Sequence, residues 1–352
     1  MGHVGLTIAG TLGILAVIPA MSVQYREFLD RTGLASSIIL TALISAASAV
    51  AWLVVSAFIP AVWSSPLVYP TAALAAVSGF LSSMTVRDTT SRPAVAALFS
   101  VAWTVLVFTP VAVVVLFPTS VGIPATAGPL DLGGALPVQV AVGTGALVVL
   151  ILTQRSPADV RLHARPRTWV QLVCGLVTLA GWLLGFVGLE LQLDAVITPR
   201  IILNSIIAPL CAIIGWLIGQ RIVNGTTTVS GAVGGLLCGI VAISSGSAYF
   251  EPLGAVVTGV VAGFACSIFV YRRIARTGRQ TWFIVGAHLV AAVVGLIAVG
   301  LFGTTIGFIF DGQLTLVQVQ LLSVIAVGVW AAFISVVLWL ILRRAAIPVT
   351  SS

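Results

Sequence analysis

Residues 131–153 read DLGGALPVQVAVGTGALVVLILT. The stretch opens with a carboxylate, Asp131, and two glycines, stays apolar as far as Thr153, and carries a single amide, Gln139. A helix needs about 20 apolar residues to cross ~30 Å of hydrocarbon, and this segment is long enough. An amide inside such a helix has no water to bond, so it requires a partner on a neighbouring helix or a hydrated passage. The aspartate has a simpler use, because the unpaired N–H groups and the positive dipole end of a starting helix are satisfied by an acid.

The rest of the chain repeats this apolar pattern. Its 352 residues are 59% hydrophobic and 7% charged, with a mean hydropathy of +1.19, whereas a soluble domain is about a quarter charged. Eleven runs are predicted to be membrane helices, near 4–25, 35–59, 67–85, 93–117, 133–153, 169–190, 198–220, 229–247, 253–271, 281–302 and 318–342. The expected fold is an all-α integral membrane protein forming one domain over 1–352. Two inverted five-helix repeats, about 4–153 and 169–302, are followed by a last helix at 318–343, an arrangement common among transporters. Gln139 in span five and His288 in span ten then occupy equivalent helices and lie part-way into the bilayer from opposite faces.

The basic residues, all arginine, set the orientation. In an eleven-span chain Arg26, Arg31, Arg87, Arg92, Arg155, Arg161, Arg165, Arg167, Arg221, Arg272, Arg273, Arg276, Arg279, Arg343 and Arg344 share one side, and Arg200 alone takes the other. The N-terminus is therefore expected outside and the C-terminus in the cytoplasm of a plasma-membrane protein. Nothing basic except His3 precedes the first run, so that run lacks the positive start of a secretory signal and reads as a retained helix. The net charge of +7 belongs to the inner face and anionic lipid. No basic and aromatic interleaving supports nucleic-acid binding.

Ionisable groups within spans are few. His288 is the only histidine inside a span and must face protein or water; its plainest role is a packed imidazole bonded to a neighbouring carbonyl. Glu190 and Asp194 stand where span six leaves the membrane, either as a solvated rim or as a vestibule that attracts cations. Cys174, Cys211, Cys238 and Cys266 sit singly within spans without CxxC spacing, so neither metal nor haem nor any other cofactor is expected. The glycine-rich stretches GAVGGLLCG and GAVVTGVVAG suit close helix packing in lipid.

Several stretches, taken in order, are similar to the ammonium transporter family, which includes the Rhesus-type proteins. They are LAVIPAMSVQYREFLDRTGLAS, LFSVAWTVLVFTPVAVVVL with Trp103 and Pro110, PLDLGG, GWLLGFVGLEL, LNSIIAPLCAIIGWLIG with Asn204, GIVAISSGSAYFEPLGAVVTGVVAG and VGAHLVAAVVGLIAVGLFG. The resemblance implies a homotrimer with one pore per subunit, an outer vestibule that recruits ammonium, a phenylalanine gate and a narrow apolar pore. Two hydrogen-bonded histidines on helices five and ten relay the proton there. On this chain Asp131 matches the structural aspartate, Phe186 a gate phenylalanine and His288 the second pore histidine. The chain departs from the pattern at Gln139, which takes the first histidine's place, at Leu116 for the vestibule tryptophan, at Glu190 for a small hydroxyl residue and at Tyr69 for the outer gate phenylalanine. Glutamine keeps a donor and an acceptor but cannot titrate. Losing the tryptophan removes a cation–π surface worth ~0.5–2 kcal/mol, which a carboxylate at Glu190 could replace by charge.

Transport of ammonium or ammonia is the expected function, with no enzymatic activity. The alternatives are a sensor, an inactive subunit or a pore for another small solute. A remote one is an intramembrane serine protease, with the loop TVSGAVGG at 228–235 and His288 as base. The chain runs only about ten residues beyond span eleven, so binding of a regulator by a C-terminal tail is not expected.

Overall fold

The computed structural model describes residues 2–29, 34–87, 89–90, 92–124, 128–153 and 168–345. Arg31, Arg155, Arg161, Arg165, Arg167 and the segment after residue 345 lie outside the described residues.

Among the described residues, nine helices are long and apolar enough to cross a membrane. In chain order, α1 is His3–Leu29, α2 Leu34–Ser56, α4 Pro93–Leu116, α5 Ala135–Leu152, α6 Thr168–Leu189, α7 Ile197–Asn224, α9 Pro252–Thr277, α10 Trp282–Phe302 and α11 Thr315–Leu342. Two more occupy the remaining expected positions, α3 at Val68–Arg87 and α8 at Val229–Ile243. Both lie inside the protein. Eighteen of the 20 residues of α3 are buried, so it meets neighbouring helices rather than lipid and tolerates Thr71, Ser78, Ser82, Ser83 and Thr85. Among the described residues no strand forms, and Phe250 makes an isolated antiparallel bridge with Gly303.

Local chemistry sets the helix boundaries. Pro93 and Pro252 open α4 and α9 at positions where an N–H would have no partner. Asp194 Oδ1 accepts from the backbone N–H groups of Val196 and Ile197 ahead of α7, and Thr228 Oγ1 accepts from Gly231 N at the start of α8. Gly225 and Gly278 end α7 and α9 in the left-handed conformation, at φ of +72° and +70°.

The packing of α1–α5 recurs in α6–α10. α3 lies against α1, α2, α4 and α5, as α8 lies against α6, α7, α9 and α10. The halves meet along α1 with α6 and along α5 with α10. At the first crossing a Cβ on Gly10 would stand 2.7 Å from Gly188 Cα, so side chains there would force the helices apart. α11 lies across both halves, against α4, α5 and α10. Trp103 Nε1–H donates to Ser335 Oγ at 3.1 Å and Gln320 Nε2–H to Leu130 O at 2.9 Å, fastening it at two levels.

Candidate functional site

The two central helices share an irregularity that periodicity does not reveal. α5 opens as a π-helix over Ala135–Val140 and α10 contains one over Val285–Val290. Wide turns of this kind re-aim side chains and recur at functional sites. One turn carries Gln139 and the other His288, and the two turns pack against each other. The start of α5 is fixed by Asp131, whose Oδ1 accepts from Ala135 N and Oδ2 from Leu136 N, each at 2.7 Å. Gly134 makes the bend at φ +72°. Gly133 leaves space at a three-way junction, since a Cβ there would stand 2.6 Å from Phe186 Cε1 and 2.7 Å from Ser244 O.

Gln139 and His288 are 1% exposed, and His288 Nδ1 is hydrogen-bonded to Gln139 Oε1. With an oxygen facing Nδ1, the imidazole proton resides there and Nε2 is an acceptor. Nε2 is met by Tyr25 at 2.5 Å, whose O–H donates to it. The result is a chain from Tyr25 to His288 to Gln139, across α1, α10 and α5. Tyr25 is held by edge-to-face contacts with Phe80 and Phe283, at centroid distances of 6.0 and 5.7 Å. Its role was not read from the sequence. The available signal was a tyrosine deep in an apolar helix, because a buried phenol requires a partner.

Near the end of α6 Phe186 is buried, with its ring 5.5 Å from Trp182. Glu190 follows one turn later, just past the end of α6. Its Oε2 accepts from the Thr198 hydroxyl at 2.8 Å, and its Oε1 is shielded from solvent with no partner. The same Thr198 oxygen accepts from Asp194 N at 2.9 Å. Partial burial raises the Glu190 pKa from its ordinary value; the Thr198 bond opposes this and the nearby Asp194 charge adds to it. Asp194 is lowered instead, because the N–H groups of Ile197 and Val196 stabilise its charge. Asn204 Nδ2 donates to Ser247 O at 2.9 Å and Phe250 O at 2.7 Å, tying the loop between α8 and α9 to α7.

Two further candidates stand apart from this group. Leu116 is half-buried at the end of α4, beside Phe117, whose ring tilts against Trp52 at 5.9 Å. Tyr69 is 54% exposed and lies with His3, Thr7 and Leu12 along a groove between α1 and α3, while the ring against Phe186 is that of Trp182. The loop at 228–235 caps a helix: Thr228 engages Gln220 and Gly231, and Ser230 Oγ–H donates to Gln171 Oε1 at 2.9 Å. Both imidazole nitrogens of His288 are engaged by Gln139 and Tyr25, so the serine-protease pairing is not formed. Among the described residues no group of three or more histidine, cysteine or acidic side chains gathers to hold a metal.

Two like-packed five-helix halves enclosing a buried polar chain define a multi-pass membrane protein of the duplicated helical class. Residues 60–351 match the sequence profile of the Ammonium Transporter Family, and the chain belongs to that family. It is 28% identical over 227 residues to an ammonium transporter of Mycobacterium tuberculosis (strain ATCC 25618 / H37Rv), covering 61% of this chain and 47% of that protein. With an ammonium transporter of Bacillus subtilis (strain 168) it shares 29% over 248 residues, 68% of this chain and 60% of the relative. The chain thus spans about half the length of the curated relatives it matches. Mep2 of Candida albicans has the same fold, with a TM-score of 0.82 at 17% identity over 97% of this chain and 84% of that one.

Proposed function

We propose that this protein carries ammonia derived from ammonium across the plasma membrane, through a narrow passage between the two halves of each subunit. The reading rests on one observation: an imidazole and an amide from opposite halves are hydrogen-bonded in the buried interior, where family members have a polar pore pair. Ammonium loses a proton to the outer water, ammonia passes the Gln139–His288 pair, and a proton is regained in the cytosol. A bare cation cannot cheaply follow, since an unpaired charge in a low dielectric costs several kcal/mol even after relaxation. With Gln139 unable to titrate, His288 lacks a second relay group, so passage is electroneutral or weakly electrogenic.

Glu190 supports a recruiting role at the outer mouth, its shielded Oε1 one turn beyond Phe186. Phe186 serves as the gate above the pair, while Asp131 and Asn204 hold the mouth in shape. The arginine distribution supports an outer N-terminus and a cytosolic C-terminus, and family membership supports a homotrimer. The test is an ammonium pulse on purified protein in liposomes, recording internal pH and current together. Alkalinisation that is lost in His288→Ala supports the reading. Absence of any specific flux in folded wild-type protein refutes it and leaves a sensor or non-conducting subunit.

A further inference from the structure

A small cavity with a few polar groups in a mostly apolar wall lies beyond Tyr25, where α1 ends and α6, α8 and α10 begin. It is a cavity of about 50 Å³ lined by Gln24, Gln171, Ser230, Val233, Leu237 and Phe283. A water-sized molecule needs about 10–15 Å³ on this measure, so a solute of one or two non-hydrogen atoms fits. Phe283 forms both a wall of the cavity and the edge-to-face partner of Tyr25. One aromatic layer therefore separates the cavity from His288.

The lining chemistry is selective. Ser230 donates to Gln171 Oε1 at 2.9 Å, which uses that acceptor within the wall. Gln24 Oε1 is buried and has no partner. A shielded amide oxygen without a donor is costly, so an occupant must supply an N–H or O–H. None of the lining residues is charged. Three helices present their N-terminal, partially positive ends here, which opposes a cation. Glu190 at the other mouth has the opposite character.

We infer that Gln24, with Ser230 and Gln171, forms a cytosolic-side binding site for a small uncharged amine, ammonia or methylamine, as distinct from the charged ammonium form. The occupant donates to Gln24 Oε1, and its lone pair accepts from the Gln24 amide N–H. The inference rests on the transport reading above, and it makes the two mouths unlike: the outer one recognises the cation and the inner one the free base.

The test uses inside-out and right-side-out vesicles containing the full chain, with radiolabelled methylamine as probe and equal pH on both sides. Well below the pKa of an amine, the uncharged fraction changes about tenfold per pH unit. Half-saturation at the inner face, expressed as total amine, should fall about tenfold between pH 6.5 and pH 7.5. Gln24→Leu should raise the inner value about 5- to 10-fold, the loss of one hydrogen bond, and leave the outer value within about twofold. Gln24→Glu retains the acceptor and adds charge, so its inner half-saturation should follow total amine and lose the tenfold pH shift. An inner value indifferent to pH, or unchanged in Gln24→Leu while saturable uptake persists, overturns the site. Absence of saturable uptake in wild-type vesicles of either orientation refutes the transport reading instead.

Discussion

Replacing Tyr25 with phenylalanine removes its hydroxyl bond to His288. The hydroxyl stands 2.5 Å from His288 Nε2, and the two residues are 0% and 1% exposed. On the proposed route, a solute passing His288 must displace that hydroxyl from the imidazole acceptor. A neutral hydrogen bond of this type is worth a net of about 0.5–1.5 kcal/mol, which corresponds to about a 2- to 13-fold change in rate if the bond must break on the way. Phenylalanine keeps the ring and hence the contacts with Phe80 and Phe283 at 6.0 and 5.7 Å. Tyr25→Phe should accordingly pass ammonia faster by about that factor. It should also melt earlier, since His288 Nε2 is left buried without a donor. Stopped-flow measurement of internal alkalinisation in liposomes reads the first effect and thermal unfolding in detergent the second. Unchanged or slower uptake in a variant with a native circular-dichroism spectrum would falsify the idea that this hydroxyl obstructs the path.

Gln139→His should restore a second titratable partner for His288 and raise ammonium-driven current by ~10-fold or more, at or below the roughly 10²–10⁴ that a positioned acid or base contributes; an unchanged current means the proton travels elsewhere. Glu190→Gln should raise the outer half-saturation for ammonium by about 1.5- to 5-fold at low ionic strength, as for an exposed ion pair. Because the Glu190 pKa is raised, its charge is present above that pKa and lost as pH falls through it. Recruitment by wild type should therefore weaken as pH falls through that raised pKa while the variant stays flat, and matching pH profiles would remove the carboxylate from the mouth. Asp131→Ala strips two backbone donors of acceptors at 2.7 Å and should cost about 3–6 kcal/mol, taking about 1.5–3 for each charged bond. Asp131→Asn, keeping one acceptor, should lose about half of that, and a melting temperature equal to wild type in both variants would contradict the capping role.

The sequence by itself determined the membrane class, the order of the helices and the arginine asymmetry, because lipid imposes length and apolarity on each segment separately. Asp131 was legible for the same reason, its partners lying within five residues at Ala135 and Leu136. The helices α3 and α8 read as shorter or more polar because protein, not lipid, surrounds them, a distinction that depends on the assembled fold. The Gln139–His288 pair was anticipated from the inverted halves, but the bond joins residues 149 positions apart and Tyr25 joins from 263 away. Local periodicity carries no record of such contacts. The π turns that aim Gln139 and His288, the exposure of Tyr69 and the capture of Ser230 by Gln171 were likewise decided by tertiary structure. A side chain's partner is whatever the packed helices bring within about 3 Å, and no single helix sequence specifies its neighbours.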